Sequence, residues 1–131
     1  MNKEIARFDV PGLNKPISHY CDAVAAGGLL FISGCAPLDS EGALVGENDI
    51  RSQARQVFDN MEKILRYTGC DVHDVLKVNV YLADANDRVA VNEVRKTVFG
   101  NTRPASTLLQ IPKFAVEGML IEVEAVAAMR K

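Results

Sequence analysis

The chain has 131 residues, of which 48 % are hydrophobic and 24 % charged, with a formal net charge of −2 at pH 7. That length and balance suit one globular domain spanning residues 1–131 and exclude general disorder. A slightly acidic chain without runs of like charge is not expected to bind nucleic acid, which normally needs a basic patch.

A short strand is predicted near Ile5 to Asp9. Asp22 to Ala26 and Leu29 to Cys35 read as two further strands joined at Gly27-Gly28, a dipeptide that favours tight hairpins. A turn-rich stretch from Pro37 to Asn48 follows. The spacing of Ala54, Val57, Phe58, Met61, Ile64 and Leu65 keeps one face apolar and predicts an amphipathic helix over Ile50 to Thr68. Asn48 or Asp49 suits its N-cap, and Gly69 its C-terminal end.

Val75 to Leu82 is rich in β-branched residues and reads as a strand. A second helix is expected over Arg88 to Val98, capped by Asn86 or Asp87. Strands over Ser106 to Ile111 and Leu120 to Met129 flank a loop from Pro112 to Gly118. The class is therefore α+β, a mixed sheet whose two helices can cover only one face.

The last strand shows what the other face carries. Ile121, Val123, Ala125 and Ala127 fall on one side, and Leu120, Glu122, Glu124, Val126 and Ala128 on the other. The second set is too apolar for a fully solvated face, so burial against further copies of the chain is expected.

Three cysteines (Cys21, Cys35 and Cys70) and two histidines (His19 and His73) lack the spacing of a disulfide framework or a zinc site, and no metal is expected. Cys21 or Cys35 beside His19 is a chemically conceivable nucleophile pair, against which stands the usual inertness of buried thiols. Cys70 reads as structural and His73 as a loop residue. No apolar run reaches the roughly 18 residues of a membrane span, and the N-terminal residues do not resemble a signal core. A cytoplasmic location without membrane association is the expectation.

Five ordered motifs resemble the RidA/YjgF (reactive intermediate deaminase, L-PSP) family. They are Leu29-Leu30-Phe31-Ile32-Ser33-Gly34, Gln53-Ala54-Arg55-Gln56-Val57-Phe58-Asp59-Asn60, Val91-Asn92-Glu93-Val94 with Phe99, Arg103-Pro104-Ala105-Ser106-Thr107, and Ile121-Glu122-Val123-Glu124-Ala125-Val126-Ala127. The resemblance implies a chorismate-mutase-like fold. Three subunits would join their sheets into a central barrel, a homotrimer with helices outside and a small-molecule pocket at each interface. It also implies cofactor-free hydrolysis of small enamines or imines to carbonyl compounds and ammonia.

Matched residue by residue, the family's water-positioning glutamate falls on Glu122. Its pocket residues fall on Tyr20, Ser33, Gly34 and Asn92. Its carboxylate-binding arginine falls on Ser106, the main departure. Arg103, three residues earlier across a proline, would point to the opposite face of an extended chain. A hydroxyl in place of a bidentate guanidinium suits a neutral or differently placed group, so the usual 2-imino acid substrate is not expected. Two readings follow: a hydrolase with altered substrate, and a non-catalytic module that binds a small metabolite or a protein partner on the same scaffold.

Overall fold

The computed structural model describes residues 4–129. These form one six-stranded mixed sheet with two α-helices on one of its faces. The elements are β1 (Ala6–Phe8), β2 (Ala23–Ala26), β3 (Leu29–Cys35), α1 (Ile50–Tyr67), β4 (Val75–Leu82), α2 (Arg88–Phe99), β5 (Ala105–Gln110) and β6 (Ile121–Ala128). The strand order is β1-β2-β3-β6-β4-β5. Only β4 and β5 are parallel, as a crossover through α2 requires; the other neighbours run antiparallel.

The expected elements are all present, with small shifts at their ends. Gly27 and Gly28 carry φ of 59° and 80°, the left-handed pair that a two-residue hairpin needs. Asp49 caps α1, its carboxylate accepting from the backbone N–H and the hydroxyl of Ser52. The cap of α2 differs from expectation. Asp87 makes no side-chain capping bond. A 3₁₀ turn over Ala85–Asp87 precedes the helix, and Asp84 caps that turn by accepting from the N–H of Asn86. Leu120 stays outside β6, because its N–H goes to the Gln53 side chain instead of a neighbouring strand.

The core lies between the helices and the near face of the sheet. Val57, Phe58, Met61 and Leu65 of α1 meet Leu30, Val78, Val80, Ile121 and Val123 of the strands, all buried. Phe58 meets Phe99 of α2 edge to face, with ring centres 5.8 Å apart. On β6 burial alternates strictly, with Ile121, Val123, Ala125 and Ala127 buried and the residues between them half-buried. The helix side is thus the side expected. Phe31 and Leu109 stay exposed on the far face, beside half-buried Val24 and Val126.

Gln53 and Asn60, the buried polar residues of α1, fix loops to this frame. The Gln53 amide donates to the carbonyls of Gly46 and Gly118 at 3.1 and 2.9 Å and accepts from Leu120 at 2.7 Å. Asn60 donates to the carbonyls of Ala36 and Leu38 at 3.0 and 2.9 Å. Loop carbonyls buried without partners would each cost about 1–3 kcal/mol, so these two side chains set where the loops after β3 and before β6 can lie. No helix among the described residues is long and apolar enough to cross a membrane.

Candidate active site

Those two loops border a cleft at the end of β3 and the beginning of β6. Its walls include Tyr20, Asp22, Ser33, Gly34, Asn60 and Glu122. It forms where the pairing of β3 with β6 is irregular: Ile32 faces Ala125, but Cys35 faces Val123. Two residues, Ser33 and Gly34, therefore oppose one on β6. Such a bulge twists a strand and re-aims its side chains, and bulges are common beside active sites.

Gly34 belongs there because of Glu122. A Cβ at position 34 would lie 2.8 Å from Oε2 of Glu122 and 2.9 Å from its Cδ, so the carboxylate rests directly on the glycine backbone. Glu122 lies on the sheet face away from the helices, opposite Tyr81 of β4. Burial, followed by the neighbouring Glu124 charge, raises its pKa above the ordinary 4.5. Glu124 is itself held by Tyr81, whose hydroxyl donates to it at 2.8 Å.

Ser33 is a fastener. Its hydroxyl donates to the Cys21 carbonyl at 2.7 Å and its N–H to the Asp22 carbonyl at 3.0 Å. Both bonds tie the bulge to the segment that brings Tyr20 to the cleft. Tyr20 is 40 % exposed, and its hydroxyl accepts from the N–H of Ile17 at 3.4 Å. Asp22 also lines the cleft and is a site residue that sequence reasoning missed. Its carboxylate accepts from Val10 N–H at 2.7 Å, and burial raises its pKa above 3.8. A carboxylate at the start of a strand carries no signal by itself; only the fold shows that it faces Glu122's cleft.

Asn92 and Ser106 are not part of this cleft within one chain. Asn92 is on the exposed side of α2. Ser106 pairs with buried Val78, which puts it on the helix side of the sheet, whereas Glu122 is on the other side. The Cys/His pair is not supported. Burial and the nearby carboxylates of Asp22 and Glu122 push the Cys35 thiol up to about 12, so it stays protonated at neutral pH and is a poor nucleophile. Cys21 is half-buried and weakly bonded to the Ala23 carbonyl. Cys70 is buried against Ala128 and Met129, as a structural residue should be.

The space inside this cleft is about 50 Å³. Roughly 10–15 Å³ of such space holds one water, so a single chain encloses room for a few waters. A carboxylate with a raised pKa, seated on glycine beside a tyrosine, can hold and deprotonate such a water. Any organic ligand has to extend past the rim.

The arrangement defines a small α+β protein with a helix layer on one sheet face and a carboxylate cleft at the bulged end of β3. The profile described as Endoribonuclease L-PSP matches residues 12–129, and the chain belongs to that family, the RidA/YjgF proteins. A RutC family protein of Pyrococcus horikoshii is 41 % identical over 113 residues, 86 % of this chain and 89 % of that protein. The human 2-iminobutanoate/2-iminopropanoate deaminase is 34 % identical over 127 residues, 97 % of this chain and 90 % of that protein. Among solved structures, the YjgF gene product of E. coli superposes with a TM-score of 0.85 at 29 % identity, covering 95 % of this chain and 99 % of that one. E. coli TdcF with bound serine gives a TM-score of 0.84 at 26 % identity, covering 95 % and 100 %.

Proposed function

We propose that the chain is a cofactor-free hydrolase of small reactive enamines or imines, with Glu122 as the base that positions water. The observation that carries this reading is Glu122 itself, half-buried over Gly34 with a raised pKa. A base whose pKa is drawn toward neutrality is better matched to taking a proton and returning it. Water held by Glu122 adds through oxygen to the C=N carbon while its proton passes to the carboxylate. That proton returns to nitrogen, giving a carbinolamine. The carboxylate then takes the hydroxyl proton and passes it to the amine nitrogen as the C–N bond breaks, so ammonia leaves a carbonyl product. Relatives named 2-iminobutanoate/2-iminopropanoate deaminase, the human protein among them, support this class of reaction.

The substrate differs from a plain 2-imino acid at the carboxylate end, because Ser106 stands at the matched arginine position. The pocket is completed by other copies of the chain in a homotrimer, in keeping with the small enclosed volume and the apolar far face of the sheet. The test is ammonia release from a panel of enzymatically generated imines, with and without carboxylates. Acceleration by the wild type that falls at least about 100-fold in Glu122→Gln supports the reading, since losing a catalytic acid–base group costs on that order. No acceleration on any member overturns it. The missing arginine also favours a second reading, a metabolite-binding module without turnover. Thermal stabilisation by the carbonyl products without ammonia release would select that one.

A further inference from the structure

Two carboxylates follow one another on the same side of β6, and their surroundings differ. Glu122 and Glu124 are two positions apart on extended chain, which sets their backbones roughly 7 Å apart. In the register with β4, Tyr81 stands opposite Glu122 and Asn79 opposite Glu124. The Tyr81 hydroxyl does not bond its direct partner. It reaches diagonally and donates to Oε1 of Glu124 at 2.8 Å, a span that cross-strand aromatic side chains can cover. Asn79 makes no side-chain hydrogen bond among the described residues, so Tyr81 is the partner that fixes Glu124. Glu122 accepts no hydrogen bond among the described residues and rests on Gly34.

The other groups around Glu122 do not neutralise it. No cation is among the residues that line the cleft. Cys35 of β3 keeps its proton, its thiol pushed up to about 12 by burial and then by Asp22 and Glu122. Asp22, just before β2, is a further carboxylate and is committed to the N–H of Val10. Tyr20 on the cleft wall is engaged with the N–H of Ile17. Lys77 of β4 lies opposite Val126, two rows from Glu122, and its ammonium goes to Thr107 at 2.9 Å. From α1, Asn60 spends its amide N–H groups on the carbonyls of Ala36 and Leu38. After burial, the charge that bears on Glu122 is that of Glu124, and both raise its pKa.

We infer that Tyr81 and Glu124 are positioning residues for Glu122. The phenol pins the Glu124 charge next to Glu122, which makes Glu122 the carboxylate of the pair that takes up and returns a proton. A carboxylate that accepts a phenolic hydrogen bond is stabilised as the anion, and a like charge beside it then favours the protonated form. Environments that set two such groups apart assign one of them the proton. Tyr81 remains a donor through the neutral range, because its bond to Glu124 and its burial raise its pKa above 10.0. The inference deepens the hydrolase reading by naming what tunes its base, and it rests on that reading only for the use made of the proton.

The experiment is a pH titration of the full-length protein with isotope-labelled glutamate, following the Glu122 carboxyl resonance at low ionic strength without substrate. In Glu124→Gln the proton affinity of Glu122 should fall at least about threefold, the effect of one like charge roughly 7 Å away even under water-like screening. Tyr81→Phe should lower it in the same direction by less, because the charge remains but can swing into water. In the Glu124→Gln background, Tyr81→Phe should change nothing further, since the phenol acts through that carboxylate. With turnover, the acid limb of kcat/KM should move to lower pH in both single variants. A chain that titrates in this way but releases no ammonia keeps this inference and loses the hydrolase reading. Unchanged Glu122 affinity in Glu124→Gln overturns the inference. So does an effect of Tyr81→Phe that persists at full size once Glu124 is gone.

Discussion

Glu122 titrates differently from an ordinary glutamate, and the direction has two consequences. Its pKa is raised by burial and then by Glu124, so the folded chain holds that proton more tightly than the unfolded chain. By linkage, its stabilising contribution is fully present below 4.5 and is lost as pH rises through the folded value. Asp22 acts in the same direction from 3.8 upward. Asp49 acts oppositely, since its bonds to Ser52 lower its pKa and its contribution disappears only as pH falls below 3.8. Thermal unfolding followed by circular dichroism should therefore show the midpoint falling as pH rises above 4.5, and less steeply in Glu122→Gln. In the hydrolase reading, the acid limb of kcat/KM lies above 4.5 and disappears in the same variant. A midpoint that rises over this range in the wild type and is unaltered in slope by the substitution would contradict the assignment.

The bulge in β3 is the element on which the cleft depends, and Gly34 is its most exacting position. In Gly34→Ala the new methyl meets the far end of a flexible side chain, not backbone, so the fold can survive while Glu122 swings aside. The expected outcome is an unfolding midpoint within a few degrees of wild type, about 1 kcal/mol or less, with activity reduced to the level of Glu122→Gln. Wild-type turnover in that variant would show that the carboxylate's resting place is unimportant. The bulge also marks the limit of what the sequence made legible. Hairpin, helices and the two faces of β6 were readable because Gly27-Gly28, the apolar stripe of α1 and the alternation of Ile121, Val123 and Ala125 are local patterns. Which face Ser106 and Glu122 occupy relative to each other depends on strand order and register, and neither is local. Asp22 was missed for the same reason: the sequence has no mark for a carboxylate that only a long-range pairing carries into a cleft. The motif residues Gln53 and Asn60 were legible as a family pattern, but their physical task, holding loop carbonyls, appears only when the loops are in place.

Across the whole molecule, the two sheet faces are finished to different degrees. The helix face is covered over its central strands, whereas the far face leaves Phe31 47 % and Leu109 51 % exposed, flanked by Val24 and Val126. Polar residues lie on the same face in bonded arrangements, with Tyr81 on Glu124 and Lys77 on Thr107 at 2.9 Å. A face with satisfied polar groups and uncovered aromatics has the composition of a subunit contact, and the proposed trimer would bury it. Light scattering should then give three times the 14.3 kDa chain mass. Phe31→Asp places a charge at the middle of this face while leaving the helix-side core untouched, since Leu30 and Ile32 point the other way. That variant should keep its helical circular dichroism, fall to the mass of one chain and lose activity, because a cleft of about 50 Å³ cannot enclose a substrate alone. A wild type that scatters as a single chain, or a monomeric Phe31→Asp that retains full turnover, would remove the inter-subunit pocket and leave the cleft of one chain to account for all of the chemistry.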